Sequence, residues 1–155
     1  MDAIRRAIAD DASALTALMH ASTAYHGTYR AILHGYQVSA EQVARDTIFV
    51  YELKQEIVGF YSLAYIEDDF ELDLMFVADT AQGNGVGATL FQHMIRTAAN
   101  QNATRVKIVA HPPALNFYVR MGAEIVGVKA PFGAVSWERP VLTMHIRKVF
   151  VDPNE

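Results

Sequence analysis

The 155-residue chain is 52% hydrophobic and 19% charged, long enough for a full core and too apolar for disorder, so one domain over 1–150 with a short tail at 151–155 is expected. Thirteen Lys+Arg against seventeen Asp+Glu give a net charge of −4 with no basic stripe, which argues against nucleic acid; the absence of cysteine excludes disulfides, thiolate metal sites and cysteine nucleophiles. The longest nearly polar-free run, 57–66, is about half a membrane span, and the first thirteen residues hold no apolar signal core, so a soluble, cytoplasmic protein with no membrane partner is expected.

Residues 3–8 read as a first strand. Asp10 or Asp11 caps a helix reaching about residue 24, with Leu15, Leu18 and Met19 on its apolar stripe. An irregular stretch over 25–38 holds Tyr25, His26, Tyr29, His34 and Tyr36, and Ser39 with Gln42 has capping-box spacing for a short second helix. Strand-like runs at 48–53, 57–66 and 70–77 are separated by turns short enough for antiparallel hairpins. Val86, Leu90, Met94 and Ala98 recur with a helical period. A strand over 105–110, a helix over 114–121 ended by Gly122, and strands at 124–128 and 142–146 complete the chain. The order β-α-α-β-β-β-α-β-α-β-β predicts an α/β (α+β) fold with a mixed sheet and one strand–helix–strand crossover.

The richest segment runs from Glu71 to Gly87, where a strand enters a glycine-rich turn that opens a helix. Glycines let backbone N–H groups converge, and the helix start adds unpaired donors and a positive dipole end, so a diphosphate is the natural guest. Gly83, Gly85 and Ala88 fit G-x-G-x-x-A, the dinucleotide fingerprint. That fingerprint places its glycines directly after the strand and an acidic residue about 20 positions on. Here residues 78–82 intervene and 105–110 ends in His111, so NAD is disfavoured; the absence of Gly-Lys-Ser/Thr disfavours a P-loop.

Gln82-Gly83-Asn84-Gly85-Val86-Gly87 resembles the Q/R-x-x-G-x-G/A pyrophosphate loop of the GNAT acyl-CoA N-acetyltransferase superfamily. Leu74-Met75-Phe76-Val77 resembles its fourth strand, and the stretch from Ala114 to Ala123 its A-x-x-F-Y-x-x-x-G-F segment. The resemblance covers about 3–147. It implies a mostly antiparallel sheet flanked by helices, with a V-shaped splay between strands four and five that receives the pantetheine arm of acetyl-CoA. Phe76, Val77, His111 and Phe117 would then line the arm, and the N–H groups of Gly83, Gly85, Val86, Gly87 and Ala88 would hold the diphosphate, with Gln82 shaping the loop. Two departures stand out: His111 occupies a place where the family often has Asn, and Ala123 replaces the last Phe.

The same resemblance implies a catalytic acid at Tyr118, protonating the departing thiolate. A phenol near pKa 10 suits a thiol near about 8.5; the plainer role for a tyrosine beside Phe117 is packing. Glu71 matches a position where some members carry the base; strict alternation puts Glu71, Asp73 and Val77 on one strand face. Asp73 is the runner-up base or an anchor for a cationic acceptor, and either carboxylate reads equally as a solvated strand residue. Tyr25 and Tyr29 lie where the family builds its acceptor site, and Trp137 edges the same cleft; their plainer role is packing. The histidines form no ligand spacing, so no metal is expected, and His93 reads as a surface residue. The resulting expectation is transfer of acetyl from acetyl-CoA to a small-molecule or peptide amine in a ternary complex, a homodimer remaining open; the alternative is a catalytically silent acyl-CoA-binding module that senses cofactor or docks a partner.

Overall fold

The structure is a computed structural model that describes residues 3–147; the tail expected at 151–155 lies outside them. Its strands are β1 (Ile4–Arg6), β2 (Thr47–Leu53), β3 (Glu56–Ile66), β4 (Asp69–Val77), β5 (Arg105–Val109), β6 (Glu124–Lys129) and β7 (Arg139–His145). The helices are α1 (Ala12–Ala21), α2 (Ala40–Arg45), α3 (Val86–Asn100) and α4 (Leu115–Arg120). The seven strands form one sheet in the order β1-β2-β3-β4-β5-β7-β6, antiparallel except for β4 beside β5. Two-residue turns close the β2–β3 and β3–β4 hairpins, with positive φ at Lys54 and Gln55 and again at Glu67 and Asp68, the twist that such hairpins favour.

The sheet is covered on both faces. Leu90, Phe91, Met94 and Ala98 of α3 bury against Tyr61, Leu72 and Val106, the stripe that the four-residue period predicts. Leu15 and Met19 of α1 and Val43 of α2 bury on the other face against Phe60 and Phe76. Among the described residues no helix is long and apolar enough to cross a membrane.

Four local expectations need correction. Asp11 makes no side-chain cap for α1: its carboxylate takes the Arg5 guanidinium at 2.9 Å through each oxygen and the Ile8 N–H at 2.8 Å. That helix stops at Ala21, and 3₁₀ turns occupy Thr23–Tyr25 and Gly27–Leu33. Ser39 Oγ does cap α2 by accepting from the Gln42 N–H at 3.1 Å, while the Gln42 amide turns to Tyr36 and Asp73. Half-buried His93 accepts or donates at 2.7 Å with the Tyr61 hydroxyl and is no free surface group. The last strand starts three residues early, at Arg139: the Pro140 carbonyl accepts from Ala110 N–H at 2.8 Å, which extends the ladder past Val141 although proline cannot return the second bond of that pair.

Two irregularities position the cleft. β4 and β5 pair only through Phe70↔Val106 and Glu71↔Lys107, then separate. Within β4, the register jumps from Ser62↔Leu74 to Leu63↔Leu72, leaving Asp73 as an extra, bulged residue.

Candidate active site

The edge of β4 is set by its ladder with β3. Ala78 N–H bonds to Val58 O at 2.8 Å. Antiparallel alternation then makes Gly59↔Val77 and Tyr61↔Met75 the non-bonded pairs, so the N–H and C=O of Val77 and Met75 face away from β3, toward the β5 side. Because β5 has already diverged, this backbone strip borders the gap. Gln82 Nε2 donates to Val77 O at 2.9 Å, which ties the strand end to the following turn. Phe76 presents its backbone to β3 instead; its ring is buried, 5.0 Å from Tyr25 and 5.8 Å from Phe60.

The glycines of the turn have two different reasons to be glycine. Gly83 and Gly85 sit at φ +81° and +77°, where a side chain is strained although open space surrounds each. A Cβ on Gly87 would lie 3.3 Å from the Phe117 ring and 3.7 Å from Val77 Cγ2, so that position is fixed by close approach. Thr89 N–H already bonds to Gly85 O, leaving the N–H groups of Val86, Gly87 and Ala88 as the unpaired first turn of α3.

Across the gap lies an aromatic group. The His111 ring stacks on Tyr25 with centroids 3.8 Å apart, and meets Tyr29 edge-on at 4.6 Å. Its Nε2–H donates to Ala24 O at 2.6 Å, leaving Nδ1 buried with no hydrogen-bond partner. Burial lowers the His111 pKa, outweighing that bond, so the ring is neutral. Tyr29 also packs edge-on to Trp137 at 5.0 Å. The Tyr118 side chain is buried beside Phe117, and its hydroxyl has no hydrogen-bond partner among the described residues. Burial, reinforced by Tyr25, pushes the Tyr118 phenol well above its ordinary value. Burial likewise raises Tyr25 to about 12, against a smaller opposing pull from Arg139.

Two cavities, of about 270 and 280 Å³, meet here. They share Tyr25, Met75, Phe76, His111 and Tyr118 as walls. The first continues past Val77 to Gln82, Gly87 and Phe117. The second runs to Tyr36, Asp73, Leu74 and Arg139. Tyr29 lines neither and supports His111 from behind.

The shared face expected for Glu71, Asp73 and Val77 is overturned by the bulge. Glu71 pairs with Ala64 and Phe76 with Phe60, both even-numbered in β3, while Val77 pairs with Gly59; Glu71 and Val77 therefore lie on opposite faces. Glu71 lines neither cavity. Asp73 does, and Gln42 Nε2 donates to its Oδ2 at 3.5 Å. Although the residue keeps solvent contact, desolvation of the Asp73 carboxyl where it lines the cavity, reinforced by the charges of Glu71 and Asp46, raises its pKa to about 6 against the pull of Arg45. Among the described residues no three His, Asp or Glu side chains cluster as metal ligands.

Arg139 and Arg120, one on each cavity, were missed by sequence reasoning, because an isolated arginine carries no spacing signal. Glu138-Arg139-Pro140 beside Trp137 was the single hint for the first of them.

A family model described as an acetyltransferase (GNAT) domain matches residues 30–130, more than half of the chain. Comparison with curated protein sequences gives no match. Among solved structures, a GCN5-related N-acetyltransferase from Rhodopseudomonas palustris is similar with TM-score 0.76 and 20% identity, over 94% of this chain and 96% of that one. The PaiA N-acetyltransferase of Thermoplasma acidophilum, in complex with coenzyme A, superposes with TM-score 0.75 at 13% identity over 92% and 97% of the two chains. The ribosomal-protein-S18-alanine N-acetyltransferase of Escherichia coli does so with TM-score 0.73 at 15% identity, covering 98% of each. These structural likenesses establish the same fold, and the domain match over more than half of the sequence carries the conclusion: this chain belongs to the GNAT acetyltransferase family.

Proposed function

We propose that the protein moves an acetyl group from acetyl-CoA to a primary amine by direct attack while both are bound. The observation that carries this reading is the open β4 edge at Met75 and Val77, running into the glycine turn at the start of α3. Such a strip offers alternating backbone donors and acceptors to an amide-bearing arm, and ends in donors suited to a diphosphate. The CoA-bound Thermoplasma neighbour agrees with that guest. Acetyl-CoA supplies the activated thioester; the remaining work falls to residues of this chain.

The five residues shared by the two cavities mark where the reacting groups would meet. The Val77 N–H, turned into the gap, is placed to donate to the oxygen that gains charge as the amine attacks. The unpartnered Tyr118 hydroxyl serves as donor to the departing thiolate. Its raised pKa keeps it protonated across the working pH range, and also makes it a weak acid whose value lies in a hydrogen bond that strengthens as sulfur becomes anionic. Asp73 takes over the base role first assigned to Glu71: it reaches the second cavity, and a pKa of about 6 leaves it ionised yet basic enough to receive an ammonium proton. Neutral His111 holds Tyr25 in place and walls the junction.

Thiol release from acetyl-CoA against a broad amine panel tests this, with CoA binding followed calorimetrically in parallel. Amine-dependent turnover is expected. Tight CoA binding without turnover on any amine would leave a cofactor-binding module instead, and no CoA binding would remove the reading altogether.

A further inference from the structure

The second cavity carries opposite charges on different walls: Asp73 on β4, and Arg139 at the start of β7. Asp73 has polar company in Gln42. Arg139 has no ion-pair or hydrogen-bond partner among the described residues, and its Nε–H is buried. Two residues earlier, the Trp137 Nε1–H is also buried without a partner. Both are donors, and a buried donor with nothing to bond is costly unless an acceptor arrives with the ligand. A guanidinium fork matches a planar carboxylate best.

The strands fix how far apart the charges stand. Val109 pairs with Val141, so Arg139 lies level with His111, whereas Asp73 lies two residues past the last β4–β5 pair at Glu71↔Lys107. Two residues along the strand and two sheet steps separate their Cα atoms by at least about 12 Å. Side chains reaching inward from both leave room for one small molecule between them. The intervening wall is apolar, built from Ile32, Leu33, Leu74 and the Tyr36 ring. At about 280 Å³ the space suits a single residue better than a peptide.

We propose that the acceptor is an amino carboxylate with an apolar body, its ammonium directed to Asp73 and its carboxylate held by Arg139. The chemistry at the amine rests on the acetyl-transfer reading; the recognition of the carboxylate does not.

The test is calorimetric titration of the CoA-saturated protein with matched pairs: leucine against 3-methylbutylamine and leucine methyl ester, phenylalanine against phenethylamine, with 5-aminopentanoate for a longer charge separation. An amino carboxylate is expected to bind at least tenfold more tightly than its carboxylate-free partner. In Arg139→Met this advantage should fall below threefold, and Arg139→Lys, which keeps the charge without the fork, should restore part of it. Unchanged CoA affinity in these variants, with Arg139→Met melting no lower than wild type because it loses an unpaired buried donor, shows that the fold is intact. Equal or better binding of the carboxylate-free amines, an unaltered preference in Arg139→Met, or no binding by any of these compounds would overturn the proposal. Arg139-dependent binding of amino carboxylates without thiol release would uphold their recognition in this cavity while removing the acetyl-transfer reading on which their role as acceptor rests.

Discussion

The first cavity and the second meet at the same five side chains but are made of different material. The first runs along the backbone edge of Met75 and Val77 to the opening turn of α3, with Pro113, Phe117 and Arg120 completing its wall. The second is bounded by side chains drawn from β4, β7 and the segment that follows α1. Backbone presents the same donors whatever the residue, so a backbone-built site serves a ligand common to a family. A side-chain-built site changes with every substitution, and is where an individual member acquires its own acceptor. Asp79, whose carboxylate accepts from Thr23 N–H at 3.3 Å, joins the two by fastening the turn to the segment bearing Tyr25.

The comparison can be broken most directly at the junction. Tyr118→Phe keeps the ring and removes the proton, and a fall in kcat of about 100-fold is expected with CoA affinity unchanged, the range for a lost general acid. Stopped-flow measurement of the chemical step checks it; a loss below about threefold would return Tyr118 to packing. On the backbone side, Gly87→Val forces a branched side chain against Phe117 and Val77. CoA binding should weaken by about 1–3 kcal/mol, the scale of lost buried hydrogen bonds, and it should do so for every amine alike, because nothing in the second cavity has moved. Titration calorimetry reads both points.

The smallest effect separates the two carboxylates of β4. Asp73→Asn should remove the fall in kcat/KM that the wild type shows as pH drops through about 6, whereas Glu71→Gln should keep that limb and stay within about twofold in rate. Stability gives an independent reading. With its pKa raised above the ordinary carboxylate value in the folded state, Asp73 binds its proton more tightly there than in the unfolded chain, so stability is lost as pH rises from about 4 through about 6. Asp73→Asn is therefore expected to melt higher than wild type at pH 7, the difference closing below pH 4. Thermal melts across that range decide it, and an identical pair of curves would place Asp73 in ordinary solvent.

What could be read from sequence follows the same division. The glycine turn was legible because strained φ at Gly83 and Gly85 and close approach at Gly87 leave glycine as the fitting residue, and their spacing survives as a pattern. The α3 stripe and the two hairpins were legible because periodicity and turn length are local properties. The pairing of His111 with Ala24, 87 positions away, is written nowhere in local pattern, and neither is the arrival of Arg139 beside the pocket. Glu71 was misplaced for a different reason: alternation was sound on either side of residue 73, but nothing in Leu72-Asp73-Leu74 announces an extra residue.

That extra residue also acts as a change of parity. On the Val77 side of Asp73, odd-numbered positions of β4 belong to the α3 face; on the Glu71 side, even-numbered ones do, as Leu72 in the α3 core and Leu74 and Phe76 on the α1 side attest. The first part of the strand pairs with Val106 and Lys107, and its last part is tied to the glycine turn. Removing residue 73 would leave both parts facing as they do, because Leu72 and Leu74 already pair with the adjacent Leu63 and Ser62. The bulge therefore lets the strand carry one cavity-lining carboxylate as a surplus residue, without disturbing the packing on either side of it.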